Sequence, residues 1–242
     1  MINKKLHLIS GPRNISTALM YSFGNRTDTS IVDEPFYAHY LKIFPEINHP
    51  GREETLQSQS SDVEQVLQKV IHGTYPTSQV FFKNMAHHLI EVDWSFLKDC
   101  TNIFLIRNPR QLIASFAQVI PHPNLQDIGL KLEYEILQYC LDNNLPFVVL
   151  DSNEVLKNPK LVLTKLCHQI NIDFDEAMLS WTAGAREEDG VWANYWYANV
   201  HKSTGFSKQV TSERPFPKEL LPLLTEAQEY YDLLCKYTIR AE

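Results

Sequence analysis

Cysteine is scarce in this chain of 242 residues, and no two cysteines lie close together in the sequence. The four are Cys100, Cys140, Cys167 and Cys235, and no CxxC pair occurs. Because zinc sites and disulfide frameworks use closely spaced cysteines, this distribution argues against both. We expect free, buried thiols, which are typical of a protein from a reducing, cytoplasmic environment.

The chain also lacks long hydrophobic runs and an excess of basic residues. No stretch approaches the roughly 20 apolar residues of a membrane helix, and the apolar start turns polar at Gly11, unlike a signal peptide. The formal net charge is −7, which argues against a general nucleic-acid surface. We therefore expect neither membrane nor nucleic acid as a partner, and any basic site must be local.

The rest of the composition is ordinary for a globular protein, with 44% hydrophobic and 21% charged residues. Short apolar strands alternate with helical patterns of 10–15 residues, which favours parallel strands joined by helices. We predict one α/β domain over residues 1–242, with a three-layer architecture and a mostly parallel central sheet. An aromatic-rich segment, 181–206, and a C-terminal helix, 216–238, are additions to it. The polar stretch 45–62 is predicted to be a mobile loop.

The most informative stretch is Leu6–Leu19 (LHLISGPRNISTAL), which predicts a strand, a tight turn and the start of a helix. Such a turn directs backbone N–H groups and the positive end of a helix at one point, where a phosphate or sulfate fits. The segment lacks the second glycine and the lysine of a Walker A loop. An ordinary turn with a serine helix cap is the alternative interpretation. The candidate anion ligands are Arg13, Asn14, Ser16 and Thr17.

A second motif follows the fourth predicted strand, in Leu105–Phe116 (LIRNPRQLIASF). Arg107 leaves the end of this buried strand, and Ser115 lies eight residues later, about two helical turns along. Together the two side chains could hold a phosphate from two directions. Each one alone is more simply explained as a surface arginine and a serine on a helix face.

In their order and spacing these motifs resemble the sulfotransferase family, which uses 3′-phosphoadenylyl sulfate on a P-loop-like α/β fold. Arg107-Asn108-Pro109-Arg110 and Ser115 match the family's 3′-phosphate motif, and Ser10–Thr17 resembles its 5′-phosphosulfate loop, with Arg13 where the family usually has lysine. Further segments are similar to a poorly characterised branch of small sulfotransferase-like proteins. They are DEPF at Asp33–Phe36, FKNMA at Phe82–Ala86, DGVW at Asp189–Trp192 and HKSTGF at His201–Phe206.

The resemblance implies two candidates for the general base that an acceptor hydroxyl needs. Carbohydrate sulfotransferases carry a catalytic glutamate in a setting similar to that of Glu34. Small-molecule sulfotransferases carry a catalytic histidine shortly after a lysine, which points to His87 or His88 after Lys83, although the spacing differs by two or three residues. We prefer Glu34, with Lys83 as a cation that contacts the transferring group.

The resemblance also implies a nucleotide contact from Lys202, although Ser203 replaces the first glycine of the family's segment there. The aromatic residues near it could line an acceptor pocket, stack on adenine or pack in the core. The predicted function is transfer of a sulfuryl group from 3′-phosphoadenylyl sulfate, without a metal, to a small-molecule or carbohydrate acceptor, by a monomer or homodimer. Two alternatives stay open: an inactive module that binds adenosine 3′,5′-bisphosphate, and a degenerate P-loop kinase.

Overall fold

The computed structural model describes residues 3–47, 49–120, 122–207 and 216–242. Within these residues five strands form one sheet in which every neighbouring pair is parallel, in the order β2-β3-β1-β4-β5. The strands are β1 (Lys4–Ser10), β2 (Thr29–Asp33), β3 (Gln79–Met85), β4 (Thr101–Ile106) and β5 (Phe147–Asp151). The predicted α/β fold with a parallel central sheet is confirmed.

Helices connect the strands and cover the sheet. They are α1 (Ser16–Gly24), α2 (Tyr37–Ile43), α3 (Arg52–Ser58), α4 (Val63–Val66), α5 (Pro109–Phe116), α6 (Leu125–Ile128), α7 (Leu130–Asp142), α8 (Ser152–Lys157), α9 (Pro159–Gln169), α10 (Ala193–Trp196) and α11 (Leu221–Cys235). A π-helical turn, Leu67–Ile71, continues α4. Short 3-10 segments cover Ala86–Leu89, Trp94–Asp99, Glu176–Leu179, Val200–Lys202 and Lys218–Leu220. None of the helices in these ranges has the length and hydropathy to cross a membrane.

The sheet is buried on both faces, and this explains the continuous apolar runs in its strands. Successive side chains of a strand point to opposite faces, so Leu8 packs in one hydrophobic cluster and Ile9 in the other. Phe81 and Phe82 divide between the two clusters in the same way. The helices bury their apolar sides against these two faces, which gives the three layers.

The strand order places β1 in the middle of the sheet, with β3 on one side and β4 on the other. After β1 the chain forms β2 and β3 on one side of it, and then β4 and β5 on the other side. The connections that leave the carboxyl ends of the central strands therefore diverge. Open parallel sheets bind ligands at such a point. Both motifs singled out in the sequence therefore come together at this edge.

Two local predictions differ from the structure. Part of the stretch 45–62, predicted as a mobile loop, forms α3, and Tyr195 of α10 donates a hydrogen bond to Glu54 on it at 3.1 Å. A tertiary contact thus orders a polar sequence. The sequence also predicts one helix over Asp127–Asp142, but the structure has α6 and α7 there, because Gly129 adopts a left-handed conformation with φ 79°.

Gly11, which ends β1, allows the turn to approach the α6–α7 junction closely. A Cβ atom at this position would lie 2.5 Å from the carbonyl oxygen of Ile128, which is backbone and cannot rotate away. We predict that Gly11→Ala lowers the free energy of unfolding by about 1–3 kcal/mol, measured by urea denaturation. The exposed substitution Lys131→Ala on α7 serves as a control. A Gly11→Ala variant as stable as the wild type would contradict this packing.

Candidate active site

A cavity of about 480 Å³ opens at the carboxyl ends of the central strands. Of the residues proposed from the sequence, all except Lys202 line it: Arg13, Asn14, Ser16, Thr17, Glu34, Lys83, His87, Arg107 and Ser115. These residues come from separate segments between β1 and α5, and the sheet brings their ends together. The cavity has a basic end and an end that carries a buried ion network.

The basic end is formed by Arg13 and Arg107. Arg13 Nε donates to Ser115 Oγ at 3.2 Å, and Arg107 donates to the main-chain oxygen of Arg13. Burial lowers the pKa of both guanidinium groups, and the charge of Arg13 helps to lower that of Arg107 to about 10. Two cations held together in a half-buried site favour an anion between them.

The start of α1 adds to this positive end. The helix begins at Ser16, and no side chain caps its first turn. Asn14 Oδ1 accepts from the main-chain N–H of Ile15 at 3.0 Å, one residue before the helix, and its amide Nδ2 donates to the carbonyl oxygen of Leu105 in β4. Ser16 and Thr17 line the cavity at this helix start, where the N–H groups of a first turn and nearby hydroxyls favour an anion.

Two of the cavity residues have a strained backbone. Arg13 has φ 54° and Glu34 has φ 40°, both in the left-handed region that residues with a Cβ atom rarely adopt. Glu34 directly follows β2, Arg13 lies in the turn between β1 and α1, and both line the cavity. Such conformations cost about 1–3 kcal/mol and cluster at functional sites. Glu91, Asn144 and Asn171 share this conformation but do not line the cavity, so the strain supports the site only together with the position of Arg13 and Glu34.

The other end of the cavity contains a buried ammonium group, that of Lys83 on β3. Its side chain is 1% exposed, and Nζ lies 2.9 Å from Asp33 Oδ1 and 2.5 Å from the hydroxyl of Tyr197, and also contacts Glu34 Oε1. The Tyr197 hydroxyl lies 2.8 Å from Asp33 Oδ2. An ammonium group has three N–H donors, and here all three have partners.

Burial sets the protonation of this network. It raises the pKa of Glu34 to about 7, against the opposing effect of Lys83 and with a further rise from Asp33. Burial alone would lower the pKa of Lys83, but the two carboxylates raise it overall. Lys83 therefore stays charged while Glu34 titrates near neutral pH, where a general base is most effective.

The two histidines after β3 are buried and uncharged. Burial lowers the pKa of His87 to about 3 and that of His88 well below its ordinary value, with a smaller contribution from neighbouring histidines. His88 Nδ1 lies 3.8 Å from Glu34 Oε2. Both histidines line the cavity, but His88 is the one whose ring faces the carboxylate.

Sequence reasoning did not select Asp33 or Tyr197 as functional residues, although both are central to the network. Asp33 directly precedes Glu34 in the DEPF segment, but the family resemblance pointed to Glu34 alone. Tyr197 was one of several aromatic residues in the segment 181–206, and nothing in that pattern indicates a partner 114 residues away in the chain. Trp192 Nε1 donates to the Tyr197 hydroxyl at 3.2 Å, and the main-chain N–H of Gly190 donates to Asp33 Oδ2 at 3.2 Å.

The segment that carries Tyr197 is fixed by a second carboxylate, Asp189. The Tyr21 hydroxyl of α1 lies 2.6 Å from Asp189 Oδ2, and the Arg186 N–H and His201 Nε2 each lie 2.9 Å from the same oxygen. The neighbouring Lys202 is exposed and does not line the cavity. The HKSTGF motif thus contributes an anchor through His201, while a nucleotide contact by Lys202 stays a prediction.

The fold and the site together define an α/β protein with a basic turn after its first strand, at the carboxyl edge of a parallel sheet. A family model described as "Sulfotransferase domain" matches residues 4–236. The chain belongs to the sulfotransferase family, and the predicted family is confirmed.

Solved structures support the fold. The sulfotransferase from Alicyclobacillus acidocaldarius superimposes with a TM-score of 0.54 at 12% identity, covering 98% of each chain. The sulfotransferase domain from the curacin biosynthetic pathway gives a TM-score of 0.52 at 15% identity, covering 94% of this chain and 98% of the other.

Two longer proteins from Arabidopsis thaliana are similar in sequence. They are named branched-chain-amino-acid aminotransferase-like proteins 1 and 2, and are 36% and 33% identical over 230 residues. The match covers 95% of this chain and 41% of each relative. The chain therefore spans less than half the length of the curated relatives it matches.

The raised pKa of Glu34 predicts how the site affects stability with pH. The folded protein holds this proton up to about pH 7, whereas the unfolded chain releases it near 4.5. Since the native state binds more protons in this window, the contribution of Glu34 to stability falls as pH rises through it. Relative to Glu34→Gln, we predict that the wild type loses about 2 kcal/mol of unfolding free energy between pH 5 and pH 7.

The measurement is urea denaturation of both proteins across this pH range. The comparison with Glu34→Gln cancels contributions from other titrating groups, such as Glu133, whose pKa burial also raises. A difference between the two proteins that stays constant with pH, or that grows in favour of the wild type as pH rises, would contradict the assignment.

Proposed function

We propose that the protein is a sulfotransferase that moves the sulfuryl group of 3′-phosphoadenylyl sulfate to a hydroxyl or amine of an acceptor, within a single domain. The observation that carries the proposal is the presence of a two-arginine anion site and a carboxylate base site in one cavity. A protein that only bound a nucleotide would not need Glu34 in the same cavity, with a strained backbone and a pKa raised to about 7.

Arg13, Asn14, Ser16 and Thr17 hold the 5′-phosphosulfate at the start of α1. Arg107 and Ser115 hold the 3′-phosphate, as the family resemblance implies. Arg13 Nε lies 3.2 Å from Ser115 Oγ. This contact supports the assignment, because it places the residues proposed for the 5′-phosphosulfate next to those proposed for the 3′-phosphate. Adenosine 3′,5′-bisphosphate is then the product that stays on the anion site.

In the transfer step an acceptor oxygen or nitrogen attacks sulfur, and its bond to sulfur forms. The bond between sulfur and the 5′-phosphate oxygen breaks, and its electron pair stays on the phosphate. Glu34 takes the proton of the acceptor. Arg13 and the α1 amides stabilise the charge that grows on the phosphate, and positioning supplies the rest of the catalysis.

Lys83 was expected to contact the transferring group, but its three N–H donors are engaged by Asp33, Glu34 and Tyr197. We therefore assign Lys83 a different part in the proposal. Its charge opposes the effect of burial on the pKa of Glu34, so that part of the carboxylate is ionised at neutral pH, and its hydrogen bond fixes one carboxylate oxygen. Direct contact with the sulfuryl group would require one of these hydrogen bonds to exchange.

Glu34→Gln tests the proposal, because it removes the base and keeps the size of the side chain. General base catalysis contributes typically 10²–10⁴-fold, so we predict a loss of about that size in transfer of labelled sulfate from 3′-phosphoadenylyl sulfate. Affinity for adenosine 3′,5′-bisphosphate is expected to stay within about twofold, because Glu34 does not line the anion end.

The exposed acid Glu54 on α3 provides the matched control, as Glu54→Gln. Glu34→Gln with wild-type turnover would overturn the assignment of the base. A wild-type protein that binds the bisphosphate and transfers sulfate to no acceptor in a broad panel would instead support a binding module.

A further inference from the structure

The aromatic end of the cavity combines several uncharged rings around one carboxylate. Tyr37 and His88 stack with ring centroids 4.4 Å apart and planes 11° from parallel. His49 Nδ1 lies 2.9 Å from the Tyr37 hydroxyl, and the His49 and Trp196 rings meet edge to face. These four residues, which we call the aromatic wall, all line the cavity.

We propose that this wall is the acceptor subsite, and that it takes an uncharged hydroxyl compound whose hydroxyl bridges Glu34 Oε2 and His88 Nδ1 from the cavity side. The inference rests on the sulfuryl transfer proposed above and names its acceptor class. Neither the family assignment nor the similar proteins specify the acceptor.

The two oxygens of Glu34 have different environments. Oε1 is engaged by Lys83, whereas Oε2 lies 3.8 Å from His88 Nδ1. This separation is too long for a hydrogen bond, and His88 Nδ1 is buried without a hydrogen-bond partner among the described residues. Buried polar atoms normally have partners. One oxygen atom beside this pair, within hydrogen-bond distance of both atoms, would satisfy both.

A hydroxyl group fits this gap better than an amine does. It has one proton to give to Glu34 Oε2 and lone pairs to accept a proton from His88 Nδ1, in the imidazole tautomer that carries it there. An ammonium group has no lone pair for His88 Nδ1, so it would leave that buried atom without a partner. The proton then moves from the acceptor oxygen to Glu34 as the new O–S bond forms.

The charges around the wall argue against an anionic acceptor. Asp33 and Glu34 outnumber Lys83, which leaves one uncompensated negative charge when Glu34 is ionised. His49 is neutral, because burial lowers its pKa to about 4. Arg52, the next cation, bonds the carbonyl oxygens of Phe44 and Ile47 and does not line the cavity.

The test uses three probes that share one ring: benzyl alcohol, benzylamine and 4-(hydroxymethyl)benzoate. Binding of adenosine 3′,5′-bisphosphate is measured first, and then binding of each probe to the protein loaded with it, by titration calorimetry. Transfer from 3′-phosphoadenylyl sulfate is measured in parallel. We expect benzyl alcohol to bind at least tenfold more tightly than both charged probes.

Two variants of His88 separate its chemistry from its packing. His88→Phe keeps a ring against Tyr37 and removes Nδ1, and we expect it to lose the preference for benzyl alcohol. His88→Asn places an amide near the position of Nδ1, and we expect it to keep part of that preference. His72→Asn is the control. His72 is exposed, and within the described residues its side chain forms a hydrogen bond with Lys5 alone.

Three results would overturn the subsite. A charged probe binds as tightly as benzyl alcohol or more tightly, His88→Phe keeps the full preference for benzyl alcohol, or no probe binds to the loaded protein. Failure of the proposed function has a different signature: either the bisphosphate does not bind, or it binds and no acceptor in the broad panel receives sulfate from 3′-phosphoadenylyl sulfate. Each variant must bind the bisphosphate as the wild type does, which confirms that it is folded.

Discussion

The ion network around Lys83 is the interaction on which the rest of the site depends. One buried ammonium group joins Asp33 at the end of β2, Glu34 beyond it and Tyr197 from the C-terminal segment. Removing one partner from a buried ion pair costs about 3–5 kcal/mol, because a charge is left without compensation. The network therefore fixes the position of the Glu34 carboxylate. It also holds Tyr197, which is distant in sequence, at the wall of the cavity.

The same arrangement explains why the two ends of the cavity differ. At the basic end, the backbone holds two positive charges close together, and a bound anion would reduce the repulsion between them. At the other end, two carboxylates share the single positive charge of Lys83, so a small change in environment decides the protonation of Glu34. The strained conformations of Arg13 and Glu34 direct one side chain into each end, and the central position of β1 keeps the two ends adjacent.

The sequence predicted the parts of the site that follow strands directly, because strand, turn and acid or arginine are local features. Arg13, Glu34 and Arg107 were found in this way, and the parallel sheet places them together. Tyr197 could not be found, since its partners are distant in the chain and one aromatic residue in a rich segment resembles another. The order in α3 was missed for a related reason: a polar sequence is ordered by contacts with Tyr195 that no local pattern encodes.

The central claim is that the two arginines bind a nucleotide with a phosphate at each end. Calorimetric titration with adenosine 3′,5′-bisphosphate, beside ATP with magnesium, tests it most directly. We predict micromolar binding of the bisphosphate, a loss of at least tenfold in Arg107→Ala, and weaker binding of ATP. No binding of the bisphosphate would contradict the account, and preferential magnesium-dependent binding of ATP would favour a kinase instead.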